Sequence, residues 1–376
     1  MNSFSPGRGF STPAACRRVS PTRRANLIRK ATPIRKATPI RKVTPIRKVT
    51  PILHAAGIAV AAMSAGLVPY PVFACATCGC TLSSDAAMGY SASAGWRLNF
   101  ESDYLHQDQL RSGTRAAAGV PDGTELERET VNRYLTLGVS YSPDSAWNIN
   151  LLVPYVERTH STYGEFDSTQ PLPPLSSSRS SSLGDIKLIG SYQGLLPTHN
   201  LGLQLGVKLP TGKYGTAVEF SAGPNAAMPL DASLQPGSGS TDIILGAYYY
   251  QAISQDFDFI VNGQFQSAVK HHMDQPGNDY RPGNSATVSL GLRYESSPRW
   301  VPQLQLNLLH KSRDQGALAD VQSTAGSVAY VSPGVTARVL PQVHVYGFAQ
   351  VPVYSNLYGT QLFPRWTVSF GASYAF

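Results

Sequence analysis

Three cysteines stand close together in the run Cys75-Ala-Thr-Cys78-Gly-Cys80. Thiols at this spacing favour a disulfide or a redox-active pair, although Cys75–Cys78 or Cys78–Cys80 would close a very small loop. Metal capture by Cys75, Cys78 and Cys80 is the second interpretation, but structural zinc usually takes four ligands. Lipidation of Cys75 is the third, and the bulky Phe73 stands where a small residue is usual. A c-type haem is excluded because Gly79 occupies the position where that motif needs histidine. Apart from a metal ion at these three thiols, no cofactor is expected.

Histidine and serine offer two other kinds of chemistry. The run His271-His272-Met273-Asp274 contains metal-ligating residue types, but we interpret it as a polar loop after a strand. His160 and His310 lie near predicted strand ends, and serines are abundant, so a Ser–His pair acting on membrane lipids is an alternative. Such a pair needs an orienting partner, and the sequence contains no recognised catalytic motif. We therefore predict that the chain is not an enzyme.

Charged residues recur at alternate positions in the segments that we interpret as strands. A Lys or Arg facing lipid at the bilayer midplane costs about 2–4 kcal/mol, so these side chains are expected to face the interior of a barrel. They would form a mixed-charge constriction that selects solutes, or they would pair across strands and simply fill the interior. The predicted lumen-lining residues are Arg97, Glu101, Asp103, Asp185, Lys187, Lys208, Asp242, Arg293 and Glu295.

The elements that must position these residues show period-two alternation. In the last segment Trp366, Val368, Phe370, Ala372, Tyr374 and Phe376 share one face, and small or polar residues share the other. A soluble sandwich also has one wet face, so alternation alone does not identify a membrane barrel. Twelve strands are predicted, and most are longer than the 5–6 residues usual in soluble proteins. They lie at about 94–106, 129–142, 147–160, 183–194, 200–210, 240–252, 257–269, 284–296, 300–312, 327–339, 343–355 and 364–376.

The connections between these strands alternate between long and short. Strands 1–2, 3–4, 5–6, 7–8, 9–10 and 11–12 are joined by the longer loops, and the intervening turns are tight. Outer-membrane barrels have short periplasmic turns and long outer loops. The pattern predicts an all-β, antiparallel up-and-down barrel of about twelve strands at 94–376, with both termini in the periplasm. The Ser- and Pro-rich loop 161–182 is expected to be mobile and exposed.

The first 93 residues have a different composition. Residues 1–74 contain 13 Lys and Arg and no Asp or Glu, so the net positive charge of the whole chain comes from this segment. The charge is therefore no indication of a nucleic-acid partner, and none is expected. Residues 1–54, with repeats of ATPIRK, are expected to be a disordered leader or the product of a start codon placed too far upstream. Residues 55–74 resemble a signal peptide with its cleavage site. Residues 75–93 are predicted to be a cysteine-containing periplasmic segment.

The segment from Leu183-Gly184-Asp185-Ile186 to Gly206-Val207-Lys208-Leu209-Pro210-Thr211-Gly212-Lys213 carries a family resemblance. It resembles the outer-membrane transporters named after the MetA pathway of phenol degradation, and the run GSTDIILGAYYYQ and residues 281–284 fit the same pattern. The resemblance covers about residues 94–376. It implies a channel or transporter, but supplies no binding residues to carry over.

These observations predict a bacterial outer-membrane channel for passive passage of small, aromatic or otherwise poorly charged solutes. Its expected partners are outer-membrane lipids, the solute and the barrel-assembly machinery, which would read Tyr374 and Phe376 as an insertion signal. Two alternatives are a metal- or redox-linked binding or assembly protein whose lumen is plugged by the cysteine segment, and an outer-membrane lipid hydrolase.

Overall fold

The computed structural model describes residues 94–376. The predicted leader, signal peptide and cysteine segment therefore lie outside the described residues. Within residues 94–376, no helix has the length and apolar character needed to cross a membrane. The elements in chain order are β1 (Gly95–Gly113), β2 (Arg115–Ala116), β3 (Glu125–Ser142), β4 (Trp147–Glu165), β5 (Ser176–Leu183), β6 (Lys187–Tyr192), β7 (Leu201–Lys208), a 3-10 helix (Ala232–Leu234), β8 (Ser240–Ala252), β9 (Phe257–His271), β10 (Asp274–Gln275), β11 (Asn278–Asp279), β12 (Ser285–Tyr294), β13 (Trp300–Lys311), β14 (Gly326–Leu340) and β15 (Val343–Ala375).

Eleven of these strands form one closed antiparallel ring. Its order is β1, β3, β4, β6, β7, β8, β9, β12, β13, β14 and β15, and β15 closes the ring by pairing with β1. Two strands lie off this path, since β2 pairs with β1 and β5 pairs with β4, while β10 and β11 form a separate hairpin. Closure leaves the ring without an unpaired edge. The prediction of an all-β, up-and-down barrel is confirmed.

The last strand, β15, crosses the barrel twice. It pairs with β14 from Val343 to Leu357 and with β1 from Leu357 to Ala375. The amide of Ala375 donates to the carbonyl of Gln342 at 3.0 Å, so the two halves lie side by side. Gly359, with a φ of 65°, adopts the left-handed conformation that permits the reversal. The ring therefore has twelve crossings, an even number, as an entirely antiparallel closed ring requires.

The two faces of the wall have opposite polarity. Alternate residues point outward and are apolar, such as Leu98, Leu205 and Phe370, while their neighbours Asn99 and Gln204 are buried inside. This arrangement is the reverse of a soluble fold and fits a barrel with lipid outside. Aromatic pairs lie along the outer wall, as the girdles of a membrane barrel do. They are Trp96–Tyr141, Trp147–Tyr192 and Phe257–Tyr294 near the short turns, and Tyr104–Trp366 at the opposite side of the apolar wall.

The barrel thus has two ends. The turn end carries the tight turns together with the start of β1 and the end of β15, and the loop end carries the longer connections. Several predicted long loops are shorter than expected because the strands continue past the apolar wall. Residues 107–128 are mostly strand, since β1 runs to Gly113 and β3 begins at Glu125. The last two crossings, expected to be joined by a longer loop, meet in the tight hairpin at Gly359.

The expectation that loop 161–182 is mobile and exposed was wrong for most of its length. β4 continues to Glu165, and the serine run forms β5, which pairs with β4 from Ser176↔Thr162 to Leu183↔Tyr155. Ser176 and Ser178 are buried, because small hydroxyl side chains suit the polar interior of the barrel. Only residues 166–175 connect the two strands.

Candidate functional site: the barrel interior

A cavity of about 450 Å³ lies inside the ring. About half of the lining residues carry amide or hydroxyl side chains, because every second residue of each strand faces inward. The uncharged polar part of the lining is Asn99, Asn150, Asn262, Gln204, Gln264, Gln266, Ser191, Ser285, Ser289, Thr136, Thr287 and Tyr134, and the charged part is Glu101, Asp103, Asp185, Lys187 and Lys208. Leu152, Val156, Ile189 and Leu309 supply apolar patches. The cavity therefore offers many hydrogen-bonding groups to a small solute.

Three of the predicted lumen charges meet in one buried cluster around Lys208. Its Nζ lies 2.8 Å from Oδ2 of Asp185 and 3.3 Å from Oδ2 of Asp242. Nζ also donates to the carbonyl and hydroxyl of Ser240 and to the hydroxyl of Ser238. Lys208 and Asp242 are register partners on β7 and β8, while Asp185 comes from the break between β5 and β6. We call this group the Lys208 cluster.

The break in the wall at residues 184–186 is sealed by Thr211. Its hydroxyl donates to the carbonyl of Gly184 at 2.8 Å and accepts from the amide of Ile186 at 2.9 Å. The amide of Gly212 donates to Asp185, which holds that carboxylate inside the barrel. The segments that carry the family resemblance, LGDI, KLPTGK and GSTD, therefore come together in space although they are far apart in sequence.

The connection from β7 to β8, residues 209–239, folds into the loop end of the barrel; we call it the inner loop. Gly212 packs against Gly237 so closely that a Cβ on Gly212 would lie 2.7 Å from the Cα of Gly237. Farther along, Arg158 of the wall donates to the carbonyl of Leu234. Phe220, Leu230 and Leu234 form a small apolar core inside the loop.

The inner loop also packs against two neighbouring loops. Ala232 shares an apolar cluster with Met273 and Tyr280, and Leu318 packs against the same cluster. The hydroxyl of Tyr280 donates to Asp314 at 3.0 Å, which ties the β11–β12 and β13–β14 connections together. These loops therefore pack against one another at the loop end of the barrel. Of the run His271-His272-Met273-Asp274, Met273 packs against Ala232 and Tyr280 in this cluster.

The other predicted lumen charges occupy separate places. Glu101 and Asp103 line the cavity from β1, where Glu101 accepts from the Tyr346 hydroxyl and Asp103 from Ser369. Lys187 of β6 lines the same cavity and is the register partner of Lys208.

The remaining predicted residues lie at the turn end. Arg97 lines a smaller cavity of about 300 Å³ beside the start of β1 and the end of β15. Arg293 contacts Glu295 at 2.9 Å, and Glu295 lies just beyond β12. Tyr374 and Phe376, the predicted insertion signal, have stacked rings with centroids 5.4 Å apart. Cys75, Cys78 and Cys80 lie outside the described residues.

Sequence reasoning missed a group of buried polar residues at the loop end. His160, expected to meet water at a strand end, is 2 % exposed and hydrogen-bonds Thr130 at 2.8 Å. Glu127 is also buried, with Oε1 4.0 Å from the His160 ring. The inward phase of β4, which includes Asn150 and Arg158, was the signal for His160. Glu127 carried no such signal, because a register shift between Glu127 and Glu129 changes the phase of β3 there.

Two loop carboxyls near these residues have raised pKa values. Burial raises the pKa of Asp231 in the inner loop to about 8; amide and hydroxyl hydrogen bonds from Ser233 oppose the rise, and the nearby Asp320 and Glu125 add to it. Burial likewise raises the pKa of Asp320 to about 6, against hydrogen bonds from Ser323 and Gln322. Closure of the loops therefore brings carboxyl groups together in a poorly solvated place.

No metal centre is found in the part of the chain that the structure describes. Residues 94–376 contain no group of three or more His, Cys, Asp and Glu side chains placed to hold a metal ion. His310 is the register partner of Ser327, and its Nδ1 lies 2.9 Å from the Ser327 hydroxyl. This exposed pair has no ion-paired carboxylate among the described residues.

A family model described as the MetA-pathway of phenol degradation matches residues 113–363, more than half of the chain. The chain belongs to this family. The match spans the Lys208 cluster and the inner loop. Of the ring, it leaves out most of β1 and the last part of β15.

Comparison with solved structures places the fold among outer-membrane barrels. An outer membrane channel from Pseudomonas putida F1 aligns with a TM-score of 0.53 and 12 % identity, over 76 % of this chain and 96 % of that one. The toluene transporter TbuX of Ralstonia pickettii aligns with a TM-score of 0.40 and 10 % identity, over 78 % and 94 %. No curated protein matched the chain in sequence.

Proposed function

We propose that the chain is a channel of the bacterial outer membrane through which small solutes pass by diffusion. The observation that carries the proposal is the polar-lined cavity of about 450 Å³ within a closed barrel whose outer wall is apolar. Membership of the MetA-pathway family supports it, and so does the fold shared with an outer membrane channel. In this proposal the turn end and both termini face the periplasm, and Tyr374 and Phe376 form the signal read by the assembly machinery.

The lining favours small, poorly charged solutes that can form hydrogen bonds. Lys208 with Asp185 and Asp242 carries one net negative charge, and Lys187, the register partner of Lys208, offsets it, so these four residues offer little net charge to a solute. Amide and hydroxyl groups around the cavity can replace the water around a hydroxyl, while Leu152 and Leu309 contact an apolar ring. A small aromatic compound with a hydroxyl group meets both requirements, in keeping with the family's description. Because the inner loop contacts Arg158 of the wall and packs against neighbouring loops at the loop end, we expect its position to affect passage.

A pair of neighbouring substitutions tests passage through the cavity. Ser289 lines the cavity, while the adjacent Val288 points outward and is 38 % exposed. In liposome-swelling assays with small neutral solutes, we expect Ser289→Trp to slow passage several-fold and Val288→Trp to leave it unchanged. Trp on the outer wall is well tolerated near lipid, so the second variant controls for insertion of a bulky residue.

Equal rates for Ser289→Trp and wild type, or no passage through wild type, would contradict the channel. Silence in planar bilayers would favour a binding or assembly barrel, and lipid turnover by the purified protein would favour the hydrolase. No observation in residues 94–376 supports either alternative. Passage is therefore proposed as the function, without an enzymatic step.

A further inference from the structure

Three charged side chains on adjacent strands form a cluster on the outer wall near the loop end. Arg133 of β3 and Glu157 of β4 are register partners, and Nη1 of Arg133 lies 3.3 Å from Oε1 of Glu157. Nη2 of Arg179, on β5, lies 2.8 Å from the same oxygen. We call these residues the arginine cluster. The two arginine side chains are 51 % and 72 % exposed, so most of their N–H groups face outward.

The arginine cluster has an uncompensated positive charge. Two guanidinium groups share one carboxylate, which leaves one positive charge. On the same wall, Arg365 donates to both oxygens of Asp108, and this pair is matched one to one; the ring of His106 hydrogen-bonds the Glu129 carboxylate. A surface ion pair of this kind contributes little to stability, and its N–H groups remain available to a ligand.

The position of the cluster relative to the apolar wall indicates what kind of ligand can reach it. Leu135 on β3 and Tyr155 on β4 lie two residues closer to the turn end than Arg133 and Glu157, and they are 41 % and 40 % exposed. Leu183, which pairs with Tyr155, is 52 % exposed. Two residues of a strand span roughly 7 Å, so the wall changes from apolar to charged within one step. Arg133 also lies over the ring of Tyr104, with 5.9 Å between the guanidinium carbon and the ring centroid.

We propose that the arginine cluster binds the phosphate of a phosphorylated glycolipid in the outer leaflet, with its acyl chains against the apolar row below. Guanidinium groups bind phosphate through paired hydrogen bonds, and two of them can hold one phosphate from both sides. The apolar row directly beneath favours a lipid over free phosphate, because acyl chains and phosphate then each meet their own part of the wall. The inference rests on the proposed orientation, in which the loop end faces outward, and does not depend on solute passage.

Native mass spectrometry of the refolded barrel with added lipid A tests this site. We expect wild type to retain one diphosphoryl lipid A and the double variant Arg133→Gln/Arg179→Gln to bind it roughly tenfold or more weakly, since each lost charged hydrogen bond weakens binding. Glu157→Gln is expected to bind as tightly as wild type or tighter, because the competing carboxylate is gone. Arg365→Gln, outside the cluster, should bind like wild type.

Two further measurements distinguish binding of a lipid phosphate from binding of free phosphate. Inorganic phosphate should not displace the bound lipid, and phosphatidylcholine should be retained less than lipid A. Equal retention of lipid A by the double variant and wild type would overturn the proposal, as would displacement by inorganic phosphate at comparable concentration. All the substituted side chains are on the outer wall, and a heat-modifiable gel shift confirms folding of each variant. Normal solute passage in the double variant separates this result from the channel proposal.

Discussion

At the scale of single residues, the interior is organised by buried charges that are paired. Lys208 alone contacts two carboxylates and two serines, and its removal would leave Asp185 and Asp242 without a cation. Breaking a buried ion pair typically costs about 3–5 kcal/mol, whereas the intact pair adds little net stability. The cluster therefore favours one position of the inner loop over others, because Ser238 belongs to that loop and Ser240 directly follows it. The sequence left two interpretations of the inward-facing charged residues, a selective constriction and pairing across strands. Pairing across strands fits Lys208, Asp185 and Asp242. Glu101, Asp103 and Lys187 face the cavity.

The raised carboxyl pKa values make docking of the inner loop pH-dependent. Asp231 titrates near 3.8 when exposed and near 8 when docked, so between these values the docked state binds more protons. The free energy of undocking therefore falls as pH rises from about 4 through 8. Asp320, at about 6, acts in the same direction. We expect residues 213–239 to exchange amide hydrogens more slowly at pH 5 than at pH 8, after correction for intrinsic exchange rates.

The double variant Asp231→Asn/Asp320→Asn isolates the cause. Neutral amides lose no proton in this window, so the corrected exchange rates should depend on pH clearly less steeply than in wild type. Asp256→Asn, in a tight turn at the other end of the barrel, should retain the wild-type dependence. A steep pH dependence that survives in the double variant would assign the effect to other groups.

At the scale of elements, alternation predicted the strands well wherever one face meets lipid and the other meets the lumen. β8 was predicted with both of its observed ends, because aliphatic and aromatic residues mark its outward face. β5 was missed because its serines leave no polarity contrast, and its pairing with β4 is set by register with a strand already in place. The inner loop's path was equally hidden, since its hydrogen bonds join Gly212, Asp185 and Ser238 across long stretches of sequence.

Thr211 is the element-scale residue with the clearest expected effect. Thr211→Val keeps the shape of the side chain but removes the hydrogen bonds to Gly184 and Ile186 at the break in the wall. Each such bond contributes about 0.5–1.5 kcal/mol, so we expect the free energy of unfolding to fall by about 1–2 kcal/mol in urea titrations of the refolded barrel. Thr216→Val, at an exposed inner-loop position, should change it little. Equal loss in both variants would mean that the break is sealed by other contacts.

At the scale of the whole molecule, the number of crossings determines where the termini lie. The sequence supported twelve crossings through the even strand count and the alternation of tight turns with longer loops. The structure adds that β15 doubles back at Gly359, which the sequence suggested only as a longer loop. An even number of crossings returns the chain to the side on which it began. The orientation of that side in the membrane still depends on the proposal that the loop end faces outward.

Cysteine labelling in intact cells tests this orientation and the number of crossings together. In a variant whose native cysteines are replaced by serine, a membrane-impermeant thiol reagent should label Tyr358→Cys, which lies at the loop-end hairpin and is 50 % exposed. It should not reach Ser254→Cys or Leu340→Cys in the turns at the other end until the outer membrane is opened. Labelling of Ser254→Cys and Leu340→Cys in intact cells, with Tyr358→Cys labelled only after lysis, would place the loop end in the periplasm. Ala375→Cys counts the crossings. With the reversal at Gly359 it should label like Leu340→Cys, whereas a chain of eleven crossings would carry residue 375 to the loop end, where it would label like Tyr358→Cys. Protection of Ala375→Cys in intact cells together with labelling of Tyr358→Cys therefore supports twelve crossings, and the same data give the orientation on which the lipid-binding arginine cluster depends.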